Sequence, residues 1–244
     1  MSIARATARI LRKQLRAHVA WLPLTNNFSL GDYGVFSGGV FVRMGNVRAL
    51  GVDFTSESRD GGPFAFRSEG TREVRLSGGV AVEQFAAGDA DATLRVAFTA
   101  DESLLIRTHS LAVSEICELP PLAAALRRHP QWRQRYRVIH RLWTAADGIF
   151  LSSRGTDASI DFTGSADALT ALQSGKGDLA VQVGARTNVG LDLVGATGPL
   201  ALGLFRVRVI DGSPALVDFS AAAVADPDPF ELDDPTDDDP DDDI

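Results

Sequence analysis

Residues 93–99 read Thr-Leu-Arg-Val-Ala-Phe-Thr, and the apolar side chains of Leu94, Val96 and Phe98 alternate with more polar neighbours. A period of two places one face of a strand against a core and leaves the other face toward solvent. Residues 74–82 continue the pattern on either side of Gly78-Gly79, where we expect a hairpin turn. This part of the chain is therefore predicted to form antiparallel strands with one covered face.

Toward the N-terminus, residues 28–54 alternate in the same way but are broken by glycines, which predicts short strands joined by tight turns. Before them, residues 2–20 have the period of an amphipathic helix that ends ahead of Pro23. Apolar residues such as Ile10 and Leu15 share one side of this predicted helix. The basic residues of the opposite side are Arg5, Arg9, Arg12, Lys13 and Arg16.

Toward the C-terminus, residues 122–143 carry apolar side chains at helical spacing, with an interruption at Pro130. After them the pattern predicts strands at 149–153 and 159–162 and a short helix at 165–172. Three further strands are predicted at 179–183, 189–194 and 200–210. Strands, a helical insertion around 119–146 and strands again predict an α+β fold. Its core would be a twisted, mostly antiparallel sheet, preceded by the N-terminal amphipathic helix, in one domain covering residues 1–223.

Acidic residues are concentrated at the C-terminus. The chain has a net charge of −8, yet residues 224–244 hold 11 of its 32 acidic residues and no lysine or arginine. The rest of the chain is therefore mildly basic, with a net charge of about +3. Charge and proline predict that the tail is disordered on its own. The residues predicted to make it an autoinhibitory tail are Asp226, Phe230, Leu232, Asp233 and Asp234.

Several site classes find no support in the sequence. The single cysteine, Cys117, excludes an internal disulfide and a multi-cysteine zinc site, and its apolar neighbours predict that it is buried. The four histidines lack metal-ligand spacing, and no nucleophile-elbow motif occurs. We therefore predict no catalytic residue, no metal and no cofactor. The lack of a long apolar run and of a signal peptide predicts a cytoplasmic protein.

Arginine is the more informative residue type. Between Glu118 and Asp147 no acidic residue occurs, while arginines accumulate beside aromatic residues. Guanidinium groups bind phosphates, and aromatic rings lie at the headgroup level of bilayers or stack on bases. The predicted ligand is thus a polyanion, either an anionic phospholipid or a nucleic acid. The predicted binding residues in this segment are Arg127, Arg128, Arg133, Arg135, Arg137, Arg141, Trp132 and Trp143.

The order of these features resembles the N-terminal, pore-forming domain of gasdermins. The basic segment Ile3–Lys13 and the extended Trp21-Leu22-Pro23-Leu24-Thr25 are similar to the opening of that domain. Later segments are similar to it in order and spacing: Leu111–Val113, Leu119–Leu126, Val138–Trp143, Ile149–Phe162 and Leu200–Ile210. The chain differs in lacking a cysteine in its first residues and a large helical repressor domain, and its tail is mostly aspartate and proline.

The resemblance implies a non-enzymatic protein, autoinhibited in the cytoplasm, that relocates to the inner face of the cell membrane. There it would bind anionic phospholipid through the basic residues and assemble with further copies into a pore for cell death or defence, after an activating protease removes the tail. Strands at 72–85, 93–99 and 179–194 would become transmembrane β-strands. Two alternatives stay open: a module that binds nucleic acid or an acidic partner, and a structural subunit of a larger assembly.

Overall fold

The computed structural model describes residues 7–8, 11, 17–37, 39–176 and 181–207, and the backbone alone for 230–232. Strands β1 to β15 are His18–Val19, Asp32–Ser37, Val40–Asn46, Ser56–Asp60, Phe64–Arg67, Thr71–Ser77, Val80–Val82, Ala92–Phe98, Leu104–Thr108, Ser110–Ile116, Arg137–Ser153, Ala158–Gly164, Gln182–Thr187, Val189–Val207 and Phe230–Leu232. The helices with described bounds are α1 (Leu119–Arg128), α2 (Ala166–Gln173) and a 3-10 helix (Val47–Leu50).

The strands form two antiparallel sheets. The larger sheet has ten strands, with β1-β14-β11-β10-β4 as its central path and β2, β3, β5, β9 and β15 attached at the sides. The smaller sheet has five strands in the order β13-β12-β8-β6-β7. In β8 the side chains of Leu94, Val96 and Phe98 are buried and Arg95 is exposed, as the alternation predicts. The strand expected at 93–99 is therefore confirmed.

The long strands β11 and β14 organise the larger sheet. They comprise 17 and 19 residues and pair with each other from Arg137–Arg206 to Ser153–Val189, through several register shifts. The other edge of β11 is shared by β2, β10 and β9. The other edge of β14 pairs with two terminal segments, β1 at Ala201–Leu202 and β15 at Phe205–Val207. Both ends of the described chain thus meet on one strand.

The two sheets pack against each other with α2 beside them. Leu94 and Phe162 of the smaller sheet and Leu105 and Leu151 of the larger one belong to one buried cluster, which also contains Leu169 of α2. Burial of a large apolar side chain contributes about 1.5–3 kcal/mol, so this cluster is a major source of stability. Ser165 begins α2 because its side chain accepts a hydrogen bond from the Ala168 amide at 3.2 Å. The helix predicted at 165–172 is confirmed.

Helix α1 covers the opposite end of the larger sheet. Pro120 and Pro121 lie in its first turn, where a missing amide proton costs nothing. The helix ends at Arg128 because His129 precedes Pro130 and has an extended backbone. Its buried residues Leu122, Ala123 and Leu126 pack on Val138, Phe205 and Val207 of β11 and β14.

The mostly antiparallel sheet is present as predicted, but the α+β fold class is wrong, because strands dominate the described chain and its helices are few and short. The predicted helical insertion at 119–146 is also wrong. Its first ten residues form α1, but residues 137–146 begin the central strand β11. Residues 137–140 are all buried although Arg137 and His140 are polar, so this stretch lacks the alternation that would distinguish a strand from a helix. Val138 and Ile139, both β-branched, favour the extended state.

The described residues do not show the predicted N-terminal amphipathic helix. Residues 18–19 form strand β1 instead, and within 1–16 only Thr7, Ala8 and Leu11 are described, all three helical and buried. The strands predicted at 189–194 and 200–210 are parts of the one strand β14 as far as Val207. The prediction that Cys117 is buried is wrong, because Cys117 is exposed.

Candidate functional site

Four arginines lie together at the end of α1 and in the loop that leads to β11. Arg127 is half-buried, and Arg128, Arg133 and Arg135 are exposed. Within α1 the buried side is formed by Leu122, Ala123 and Leu126, which leaves Arg128 exposed and Arg127 partly exposed. We call these four residues the basic surface.

Hydrogen bonds and a buried aromatic residue hold the loop of the basic surface in place. The Trp132 amide donates to the His129 carbonyl at 3.0 Å, and the Tyr136 amide donates to the Arg133 carbonyl at 3.0 Å. The Arg133 guanidinium donates to the carbonyls of Pro130 and Trp132, each at 3.1 Å. The Trp132 ring packs in the core, 5.4 Å from the Tyr136 ring. The loop is therefore anchored at Trp132, and Arg133 and Arg135 after it are exposed.

The basic surface carries positive charge that the described residues leave uncompensated. No carboxylate in the described part of the chain lies within ion-pair distance of Arg127, Arg128, Arg133 or Arg135. Other arginines of the described residues do have carboxylate partners, and these are Arg43, Arg59, Arg95, Arg107, Arg141 and Arg186. Arg127 and Arg128 also lie in the last turn of α1, where a helix favours positive charge. The surface is thus suited to an external or mobile anion.

The structure separates the other predicted residues of the arginine-rich segment from this surface. Arg137 is buried, with its guanidinium 5.2 Å from the Phe36 ring centroid. Arg141 forms an ion pair with Glu115 and lies 5.7 Å from the ring of half-buried Trp143. Trp132 is only 5% exposed, so it is a core residue and leaves the set of candidate membrane contacts. The predicted basic residues that lie outside the described part of the chain are Arg5, Arg9, Arg12, Lys13 and Arg16.

One segment of the acidic tail is described, and it contacts the helix that carries two residues of the basic surface. Phe230–Leu232 form β15, which pairs antiparallel with Phe205–Val207 of β14. Strand β15 also contacts α1, the helix that carries Arg127 and Arg128. Asp226, Asp233 and Asp234 lie outside the described residues. The tail therefore returns to the body of the protein at the element that presents the basic surface.

The sequence analysis missed Arg206 as a residue of this region. The register of β15 places Glu231 directly across from Arg206, and on its other side Arg206 is directly across from Arg137. The alternation Phe-Glu-Leu at 230–232 is itself a strand pattern, but the acidic and proline-rich surroundings concealed it. Only the pairing shows that this acid faces a basic partner strand.

A buried histidine lies beneath the same end of the sheet. The ring centroid of His140 in β11 is 6.1 Å from that of Phe205, and its Nδ1 has no hydrogen-bond partner. Burial and, to a smaller extent, the positive charge of Arg141 lower the pKa of His140 to about 4, while Glu115 acts in the opposite direction. His140 is therefore neutral at pH 7.

The described residues form neither a metal site nor a membrane-spanning helix. Within them, no group of three or more His, Cys, Asp or Glu side chains is placed to hold a metal ion. None of the helices in the described ranges has the length and apolar character required to cross a membrane.

No family model and no curated protein matches the chain. Among solved structures, the chain is similar to the cryo-EM structure of the gasdermin A3 membrane pore. The identity is 13%, the match covers 91% of this chain and 97% of that chain, and the TM-score is 0.28. The likeness to a gasdermin pore is thus a distant one.

Proposed function

We propose that the protein binds anionic membranes through the basic surface and assembles there with further copies into a pore. The observation that carries the proposal is the group of four arginines that no carboxylate of the described residues neutralises. Their sequence neighbours contain no acid between Glu118 and Asp147. The proposal contains no catalytic step.

Phospholipid headgroups suit this surface because guanidinium groups form charge-assisted hydrogen bonds with phosphate oxygens. Each arginine near an anionic leaflet contributes about 1 kcal/mol to binding, so four of them contribute about 4 kcal/mol. That is close to a thousandfold increase in the membrane partition constant, at about 1.4 kcal/mol per factor of ten. The inner face of a cell membrane carries the necessary anionic lipids, which places the target on the cytoplasmic side.

The smaller sheet supplies the strands for insertion in this proposal. Strand β8 alternates buried and exposed residues, and the β6–β7 hairpin carries Val80 with 67% of its surface exposed. Alternating strands keep their backbone groups paired when one face turns toward lipid. The hairpin, β8 and β13 fall within the segments predicted from the sequence to become transmembrane.

The tail regulates the surface in this proposal. Residues 224–244 carry 11 acids, and β15 anchors this segment beside α1. The tail acids would compete with lipid phosphate for the basic surface, and a protease that removes the tail would release it. The protein would then leave the cytoplasm for the membrane.

Leakage of a trapped dye from vesicles tests the proposal. We expect protein lacking residues 224–244 to release dye from vesicles that contain phosphatidylserine and not from pure phosphatidylcholine vesicles, and the full chain to release less. Absence of release from both vesicle types by both proteins would refute pore formation.

Substitution of arginines tests the binding surface. The double variant Arg133→Gln and Arg135→Gln should bind anionic vesicles about thirtyfold more weakly, because two contributions of about 1 kcal/mol are lost. The matched control, Arg67→Gln and Arg154→Gln, removes the same charge from exposed positions elsewhere and should bind as the parent does. Vesicle co-sedimentation measures both. Equal loss of vesicle binding in the two double variants would show that net charge alone matters. Binding of the parent protein to RNA, without binding to vesicles, would identify a nucleic-acid module instead.

A further inference from the structure

We propose that the edge of β14 beside α1 is a binding groove for acidic extended peptides supplied by another protein, and that β15 occupies it as an internal ligand. The β14 groove is defined as Phe205–Val207 together with the side of α1 that β15 contacts. This inference deepens the regulatory part of the proposed function and rests on it for its biological role. Peptide binding itself is measured without a membrane.

The backbone of the groove is the edge of β14 that β15 covers. On one side β14 pairs with β11, and on the other its residues 201–202 pair with β1. Beyond β1 the edge at Phe205–Val207 is completed by β15 alone among the described strands, over three residues. An added strand binds through main-chain hydrogen bonds, which any extended peptide can make. So short a strand is held by few such bonds, and a competing peptide can replace it.

The charge of the groove selects the central residue of the peptide. Arg137 and Arg206 are directly opposite each other on β11 and β14, and Glu231 is opposite Arg206 on β15. Like charges directly opposite on neighbouring strands repel, whereas opposite charges attract. An acid at the centre of the added strand is therefore favoured opposite Arg206, and a lysine at the same position is disfavoured.

The positions on either side of the central acid meet an apolar part of β14. The register places Phe230 opposite Val207 and Leu232 opposite Phe205. Val207 and Phe205 are fully buried in the cluster that contains Leu126 of α1. The pattern that fits is apolar-acid-apolar, with further acids near it to complement the basic surface. Residues 226–236 of the tail, Asp-Pro-Asp-Pro-Phe-Glu-Leu-Asp-Asp-Pro-Thr, have this composition.

The tethered tail has an advantage over a free peptide. A flexible linker gives its strand an effective concentration on the order of millimolar, so a free peptide binds measurably only when the internal strand is weakened. A charge mismatch at position 231 in the full chain provides such a weakening without shortening the protein. Glu231→Lys in the full chain should therefore open the groove to an external peptide.

Fluorescence anisotropy with a labelled peptide of residues 226–236 tests the proposal. We expect the full-length Glu231→Lys protein to bind this peptide at least about tenfold more tightly than the wild-type chain does, since a charge-assisted contact contributes on the order of 1.5 kcal/mol. The matched control peptide exchanges the residues at positions 230 and 231 and keeps the composition and net charge. This control peptide should bind the Glu231→Lys protein about tenfold more weakly than the natural peptide does. Equal binding of the two peptides, or no binding of either to Glu231→Lys protein, would overturn the proposal.

Charge reversal in the groove gives an independent test. Full-length Arg206→Glu should reject the natural peptide and bind a peptide with Lys at position 231, and Arg206→Gln should bind both weakly. Circular dichroism shows whether each variant is folded. If Arg206→Glu does not fold, the binding of the same two peptides is compared between the Arg206→Gln and Glu231→Lys proteins. An Arg206→Gln protein that prefers the acidic peptide as strongly as Glu231→Lys protein does would refute the groove. Peptide binding without dye leakage would support the groove and contradict the proposed pore. Dye leakage without peptide binding would support the pore and contradict the groove.

Discussion

His140 is a single side chain whose protonation state affects the stability of the region where β15 attaches. It is buried, and its pKa is lowered to about 4 from an ordinary value near 6.5. The folded protein therefore resists protonating this ring, while the unfolded chain takes up the proton below pH 6.5. Stability that depends on neutral His140 is complete above pH 6.5 and declines as the pH falls toward 4.

We expect His140→Leu to reduce the loss of unfolding free energy between pH 6.5 and pH 4 by up to about 3 kcal/mol relative to wild type. Urea unfolding at several pH values measures the free energy of unfolding of both proteins. Subtracting one pH dependence from the other removes the contribution of the carboxylates, which titrate in both proteins. The control is His109→Leu at an exposed position, which should keep the wild-type dependence. An unchanged pH dependence in His140→Leu would show that the buried ring is not responsible.

The end of α2 shows how an element depends on one glycine. Gly175 has φ +85°, and a Cβ there would lie 2.5 Å from the Thr108 carbonyl carbon. Its own carbonyl accepts a hydrogen bond from the His109 amide at 3.0 Å. The helix is thus joined to the turn between β9 and β10 through backbone that leaves no room for a side chain.

Gly175→Ala should lower the free energy of unfolding by about 2 kcal/mol or more, because left-handed strain of about 1–2 kcal/mol adds to a contact with rigid backbone. Gly155→Ala is the matched control, since no heavy atom lies within 4 Å of a Cβ at Gly155 and its φ is not in the left-handed region. That variant should be neutral in chemical denaturation. Equal effects of the two substitutions would contradict the role assigned to the α2 terminus.

At the scale of the whole molecule, a polar link joins the two sheets. Arg107 of β9 in the larger sheet forms an ion pair with Glu73 of β6 in the smaller sheet, and the Gln173 side chain of α2 donates to the same carboxylate at 3.2 Å. The Glu73 side chain is 8% exposed. Removing one partner of a largely buried pair costs more than removing an exposed pair, because the remaining charge stays without compensation.

If the smaller sheet must leave the larger one to enter a membrane, Glu73→Ala should speed dye release by protein lacking residues 224–244 and should lower its unfolding free energy by about 3 kcal/mol. Asp161→Ala is the control, since it breaks the 2.7 Å pair with Arg95 inside the smaller sheet and leaves the link between sheets intact. It should cost about 1 kcal/mol or less and leave the release rate unchanged. A slower or unchanged release by Glu73→Ala would indicate that the sheets stay together.

The sequence by itself determined the features that are local. The alternation at 93–99 predicts β8, and Ser165 with the periodicity after it predicts α2, because the period of two or 3.6 and the capping side chain act within a few residues. The segregation of acid into residues 224–244 is likewise a property of the chain alone. Each of these could be read without knowing which segments meet.

The tertiary structure alone decided the rest. It made residues 137–146 a strand, because pairing with β14 and β10 satisfies the backbone groups along both edges and outweighs a periodicity that resembles a helix. It placed Trp132 in the core and left Arg128, Arg133 and Arg135 exposed, and it set Glu231 across from Arg206. Strand pairing joins distant segments through main-chain hydrogen bonds that are common to all residues. Side-chain order along the chain therefore does not specify which strands become neighbours.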